Sequence, residues 1–203
     1  MTDERPVLAT TPSSQSALHQ QHLDQLATFL NTSERILAAW DAYSDQHTDP
    51  DGWPYDDDAY GRCASRRDAD TALAFEPVRE GAHQLLATAE VQLTVLPARA
   101  VQNRWVWQLG VLHDALDRLD ALHDEWVQTL NGLPAEARPG TEVLDDALAV
   151  HHAEAWAYLD DWAAHGHAIR DIHTAARHAP SVLAPKPTTT AAPVPGRRSP
   201  ARK

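Results

Sequence analysis

Residues 98–131 read ARAVQNRWVWQLGVLHDALDRLDALHDEWVQTLN. Within them Trp105, Leu109, Leu112, Leu116, Leu119, His123, Trp126 and Leu130 recur at alternating steps of four and three. At 3.6 residues per turn that spacing draws a single apolar stripe along a helix, whereas a strand alternates its faces every second residue. Gly132 and Pro134 then supply a stop, glycine by tolerating the C-terminal turn and proline by lacking an N–H. An all-α fold follows from this stretch.

The same rhythm extends outward. From about Thr141 to Arg177 the stripe is Leu144, Leu148, His151, Ala155, Tyr158, Trp162, His165, Ile169, Ile172 and Ala176. From Ser14 to His47 it is Leu26, Phe29, Ile36, Trp40 and Tyr43, with two shorter helices as the alternative because Asn31 and Glu34 form a variant capping box. A further stripe (Phe75, Val78, Ala82, Leu85, Ala89, Leu96) ends at Pro97. Pro77 suits a first helical turn, so the regular part of this helix is expected to start near Glu76. Helices of 30 residues reach about 45 Å, and short links at 97–98 and 132–140 force neighbours to run antiparallel. The expected architecture is an antiparallel up-down bundle of three or four long helices over 15–179, with a disordered N-terminal segment, 1–14, and a disordered Pro-rich basic tail, 180–203.

Charge separates body from tail. Residues 180–203 hold Lys186, Arg197, Arg198, Arg202 and Lys203 and no acid, which leaves twelve basic against 29 acidic residues elsewhere. Phosphate backbones are bound largely by lysine and arginine releasing counterions, so the body should repel nucleic acid and only the tail could bind it. Its candidate contacts are Arg197, Arg198, Arg202 and Lys203. No apolar run approaches the ~18 residues of a membrane span, the N-terminus lacks a secretory layout, and Cys63 is alone; together these predict a cytoplasmic protein with no membrane partner.

Histidines take stripe positions otherwise given to Leu, Trp or Ala. If the chain folds back near residue 136, His123 and His151 lie at nearly one level, with Asp120 and Glu154 each three residues away on its own helix. Asp120, His123, His151 and Glu154 could therefore converge as a ligand set for a first-row transition metal. Of the Glu-x-x-His elements of a di-iron bundle, only Glu80-Gly81-Ala82-His83 is present. Neutral histidines hydrogen-bonded to carboxylates across the bundle explain the same pattern and are the expectation here.

The link His47-Thr48-Asp49-Pro50-Asp51-Gly52-Trp53-Pro54-Tyr55-Asp56-Asp57-Asp58 resembles a twelve-residue EF-hand loop, with Asp at positions 3 and 5, Gly at 6 and an acid at 12. It departs by His47 at position 1, Pro54 at position 8 and Asp58 in place of a bidentate Glu. Those departures remove oxygen ligands, so an acidic, aromatic-bearing turn is expected rather than a calcium site. Of seven tryptophans, Trp40, Trp105, Trp126 and Trp162 fall on stripes. Trp107 does not: two residues from Trp105 is about 200° around the helix, so Trp107 and Val111 point away from the stripe, either under another helix or into a partner surface.

No Gly-rich phosphate loop, paired-cysteine motif or nucleophile setting occurs, so a catalytic role is not expected. The expected function is a non-catalytic helical protein that binds another protein or a second copy of itself, with Trp53, Tyr55, Trp107 and Val111 as anchors. The alternatives are the carboxylate–histidine metal bundle, as enzyme or storage protein, and a nucleic-acid accessory acting through the tail.

Overall fold

The computed structural model describes residues 12–179. They form α1 (Pro12–His47), α2 (Asp57–Arg79), α3 (Ala82–Val95), a 3-10 turn at Ala98–Ala100, α4 (Asn103–Gly132), α5 (Glu142–His165) and α6 (His167–His178). There is no strand among the described residues, and Thr48 and Pro54 form an isolated bridge between α1 and α2. The basic tail, with its candidate nucleic-acid contacts, lies outside the described residues.

Three boundaries differ from the sequence reading. α1 runs unbroken through Asn31-Thr32-Ser33, and Ser33 faces the interior at 1% exposure rather than capping a second helix. Pro77 sits in the last turn of α2, not the first turn of a new helix. A proline there lacks an N–H for the carbonyl four residues back, and because α2 ends two residues later the loss is confined to a terminus. Glu80 and Gly81 then separate α2 from α3. The helix expected from about Thr141 to Arg177 is likewise divided at Gly166 into α5 and α6.

Both divisions press against α1. A Cβ at Gly81 would clash with three atoms of the His22 ring, and one at Gly166 would meet the Trp162 carbonyl at 2.6 Å, Leu30 Cδ2 at 3.1 Å and Leu26 Cδ1 at 3.3 Å. Glycine permits this close approach because it carries no side chain.

Buried side chains come from every helix, and an aromatic chain runs through them. Phe29 of α1 meets Phe75 of α2 edge-on at 5.1 Å, and Phe75 meets Trp162 of α5 at 5.3 Å. Leu112 and Leu116 of α4, Leu85 and Leu86 of α3 and Ile169 and Ile172 of α6 complete an interior at 0–1% exposure. Removing this apolar surface from water, at roughly 25 cal/mol per Å², is the main term favouring the fold.

The core does not extend to the ends of all helices. Neither residues 34–67, the far part of the α1/α2 pair, nor residues 120–154, the far part of the α4/α5 pair, contain a buried side chain. His123, placed on the α4 stripe by its spacing, is exposed for this reason, and Leu130 is 42% exposed.

Candidate functional site

Two hairpin ends, each lacking a buried core, present most of the chemistry. In the first, α1 ends at His47, whose ring stacks on Tyr43 at 3.9 Å while its Nδ1 lies 2.8 Å from the Tyr43 carbonyl. Asp49 Oδ1 accepts from the backbone N–H of Asp51 at 2.9 Å and of Trp53 at 2.8 Å. Gly52 takes a φ of +85°, and the Tyr55 N–H donates to the His47 carbonyl at 2.9 Å. Asp56 then caps α2, accepting from the Ala59 N–H at 2.9 Å. The carboxylates that gave this link its calcium-loop look are therefore partly engaged by backbone donors. Trp53 and Tyr55 stand out from this ordered turn at 72% and 70% exposure.

In the second end, α4 and α5 run antiparallel with Trp126 stacked on His151 at 5.1 Å and Arg118 over Tyr158 at 5.9 Å. Arg104–Asp171, at 3.7 Å, continues the pairing into α6. Two adjoining clefts open along this pair, of about 210 and 270 Å³. Leu122, Glu125 and Glu154 line both; Trp126, Val150 and His151 complete the first, and Arg118 and Tyr158 the second. Leu122, Trp126, Ala147 and Val150 give the first cleft an apolar side, the second is lined more by polar groups, and the two carboxylates stand on opposite helices.

Of the four residues that could have converged on a metal, His151 and Glu154 share the first cleft, and exposed His123 is near enough to repel charge on His151. Asp120 turns the other way, toward α3, where its Oδ2 lies 2.7 Å from His83 Nε2 and its Oδ1 3.9 Å from Arg79. The four do not form one cluster, and no group of three or more His, Cys, Asp or Glu is placed to hold a metal among the described residues. His83 and His113 each face a carboxylate across helices: Asp120 and, at 3.0 Å, Glu90.

Burial holds His151 below the usual imidazole range, helped by repulsion from His152, Arg79 and His123 and opposed by Glu76. Burial also lowers His152, against the pull of Asp68 and Glu76. The first cleft thus meets a ligand with an uncharged imidazole and with carboxylates as its charged groups.

Trp107 is 60% exposed, and its ring meets His165 edge-on at 4.9 Å rather than lying beneath another helix of the chain. Val111 is half-buried. Sequence reasoning missed Arg67, whose guanidinium lies 4.4 Å from the Trp40 ring and 3.9 Å from the Trp156 ring. Its Nε and Nη2 donate to Asp68 Oδ1 at 2.8 and 2.7 Å. The signal was an arginine pair, Arg66-Arg67, between apolar stripes, together with Trp156, which belongs to no stripe.

No helix among the described residues is long and apolar enough to cross a membrane. Scans of this chain against protein-family models, curated proteins and solved structures found no match.

Proposed function

We propose that this protein is a non-catalytic interaction module, and that its α4/α5 end receives a basic amphipathic helix from another protein. The fold is then best regarded as an up-down bundle of long antiparallel helices opened at its hairpin ends. One observation carries the reading: Glu125 and Glu154 line two adjoining clefts, the first of which is also lined by Leu122, Trp126 and Val150. A helix that places leucine-like side chains over Leu122, Trp126 and Val150 brings lysines or arginines from its flanks to those carboxylates.

Charge favours a foreign partner over a second copy. Residues 120–154 carry eight carboxylates and one arginine, so two such ends repel. Trp53, Tyr55 and Trp107 lie on other surfaces and serve as secondary anchors, the first two held by an ordered turn that limits the entropy lost on binding.

Calorimetric titration with a designed Lys/Leu amphipathic helix tests this. Binding should weaken by about tenfold in Val150→Asp, because a charged group then replaces an exposed apolar contact of the first cleft. Non-specific attraction to an acidic surface would instead strengthen with the added carboxylate. Equal or tighter binding by the variant, or equal binding of a Glu/Leu helix, overturns the proposal.

A further inference from the structure

Between α1 and α2 opens a groove of about 480 Å³ whose charged lining, unlike that of the clefts above, is mainly arginine: Arg35, Arg66 and Arg67 against Asp70. That volume falls within the roughly 300–1,000 Å³ of small-molecule sites. Ile36, Ala39, Trp40 and Tyr43 of α1 form its apolar side, Cys63 faces them from α2, and Arg35 and Arg66 stand at its mouth. We propose that this groove binds a small organic carboxylate with an aromatic or aliphatic body, independently of any partner at α4/α5.

The position of the positive charge carries the argument. The formal net charge is −12, and three of the eleven arginines in residues 12–179 line this one groove. Their roles differ. Arg67 is a positioning residue: its side chain is 14% exposed, Asp68 holds its donors, and its faces are covered by Trp40 and Trp156. It fixes the indole that forms the groove wall. Arg35 has a 3.4 Å contact to Thr32 Oγ1, which leaves its planar fork able to take a carboxylate through two parallel hydrogen bonds. Arg66 reaches Asp70, which also lines the groove, at 3.6 Å; both side chains are at least half exposed, so this pairing is weak. An incoming carboxylate competes with Asp70 for Arg66 but has no such rival at Arg35.

The body of the ligand lies along Ile36, Ala39, Trp40 and Tyr43. The aromatic wall there is rigid, because Tyr60 packs edge-on to Trp40 at 4.9 Å and its hydroxyl lies 2.9 Å from Ser44 Oγ. A flat ring or short chain therefore finds a surface already shaped, and little ordering entropy is lost when it binds.

Cys63 is the only cysteine of the chain and is half-buried in the groove, so its alkylation reports occupancy directly. The experiment follows the rate of Cys63 alkylation by iodoacetamide, an uncharged reagent, in the full chain while 2-naphthoate is titrated. 2-Naphthoate should slow the reaction with a saturable midpoint. 2-Naphthalenemethanol, of the same shape without charge, should need about tenfold more. Arg35→Gln, at an exposed site, should bring the two midpoints together while the circular dichroism stays that of the parent. Equal midpoints in the parent, a naphthoate midpoint unmoved by Arg35→Gln and Arg66→Gln combined, or protection by an acidic peptide and not by naphthoate would each overturn the proposal.

Discussion

Gly81 and Arg67 show how single positions hold this fold in ways that composition conceals. The His22 ring, 7% exposed, occupies the place that a side chain at Gly81 would need. Gly81→Ala should therefore lower stability by about 1–3 kcal/mol, the usual range for overpacking a well-filled interior. In a His22→Ala background the same change should cost much less, and urea denaturation of the four proteins closes the cycle. Arg67→Ala acts differently, by stranding Asp68, whose side chain is 8% exposed. A loss of about 3 kcal/mol is expected, and Arg67→Lys should recover little, since an ammonium neither stacks between two indoles nor forms the two-donor contact. An Arg67→Lys variant as stable as the parent would show that the guanidinium geometry is unimportant.

Between elements, histidines rather than salt bridges join α1 to α6. His19 Nε2 and His173 Nδ1 are 3.4 Å apart, and the Gln92 amide of α3 lies 3.1 Å from His173 Nδ1. Burial lowers both imidazoles from the ordinary 6.5, with His173 and His22 adding to the effect at His19 and Arg177 at His173. His151 and His152 are lowered as well. A histidine with a depressed folded pKa binds its proton more readily in the unfolded chain, so stability rises with pH across that window. The contribution is complete above 6.5 and is lost as pH falls through the lower folded values. The urea midpoint should therefore drop between about pH 7.5 and pH 5.5, and His173→Gln should flatten the slope. An equal or higher midpoint at the lower pH would contradict these depressed values. Asp160 is raised by burial and by Asp161, and its opposite contribution falls in the carboxylate range.

The element scale is also where legibility ended. Stripe spacing gave the helices of α4 and α5 and set His123 level with His151, because antiparallel register follows from counting back from a turn. Rotation about the helix axis does not follow from counting. Asp120 turned to His83 because α4 packs on α3 as well as on α5. Gly166 lay unmarked in an unbroken pattern, since the crowding there comes from the turn of the backbone at Trp162 and from Leu26 and Leu30, about 140 residues away in sequence. The α1/α2 groove was hidden for a similar cause: Arg35 and Arg66 become neighbours only when the hairpin closes.

For the molecule as a whole, surface charge should govern association. Velocity sedimentation near physiological ionic strength should give a monomer. High salt, which screens the carboxylates of residues 120–154, should favour any dimer. A dimer that tightens as salt is removed would mean that complementary charges, not apolar seams, join the copies.

The pairing of His19 with His173 spans 154 residues, nearly the full length described. A ribosome adding about 5–20 residues per second needs roughly 8–30 s to make that span, so the first helix emerges long before its last neighbour exists. During that interval Leu26 and Leu30, which end at 0% and 3% exposure, lack the α5–α6 junction at Gly166 that packs against them. Nascent chains should thus present this apolar face to chaperones until synthesis has passed residue 173, and slowing elongation late in the message should lengthen that dependence.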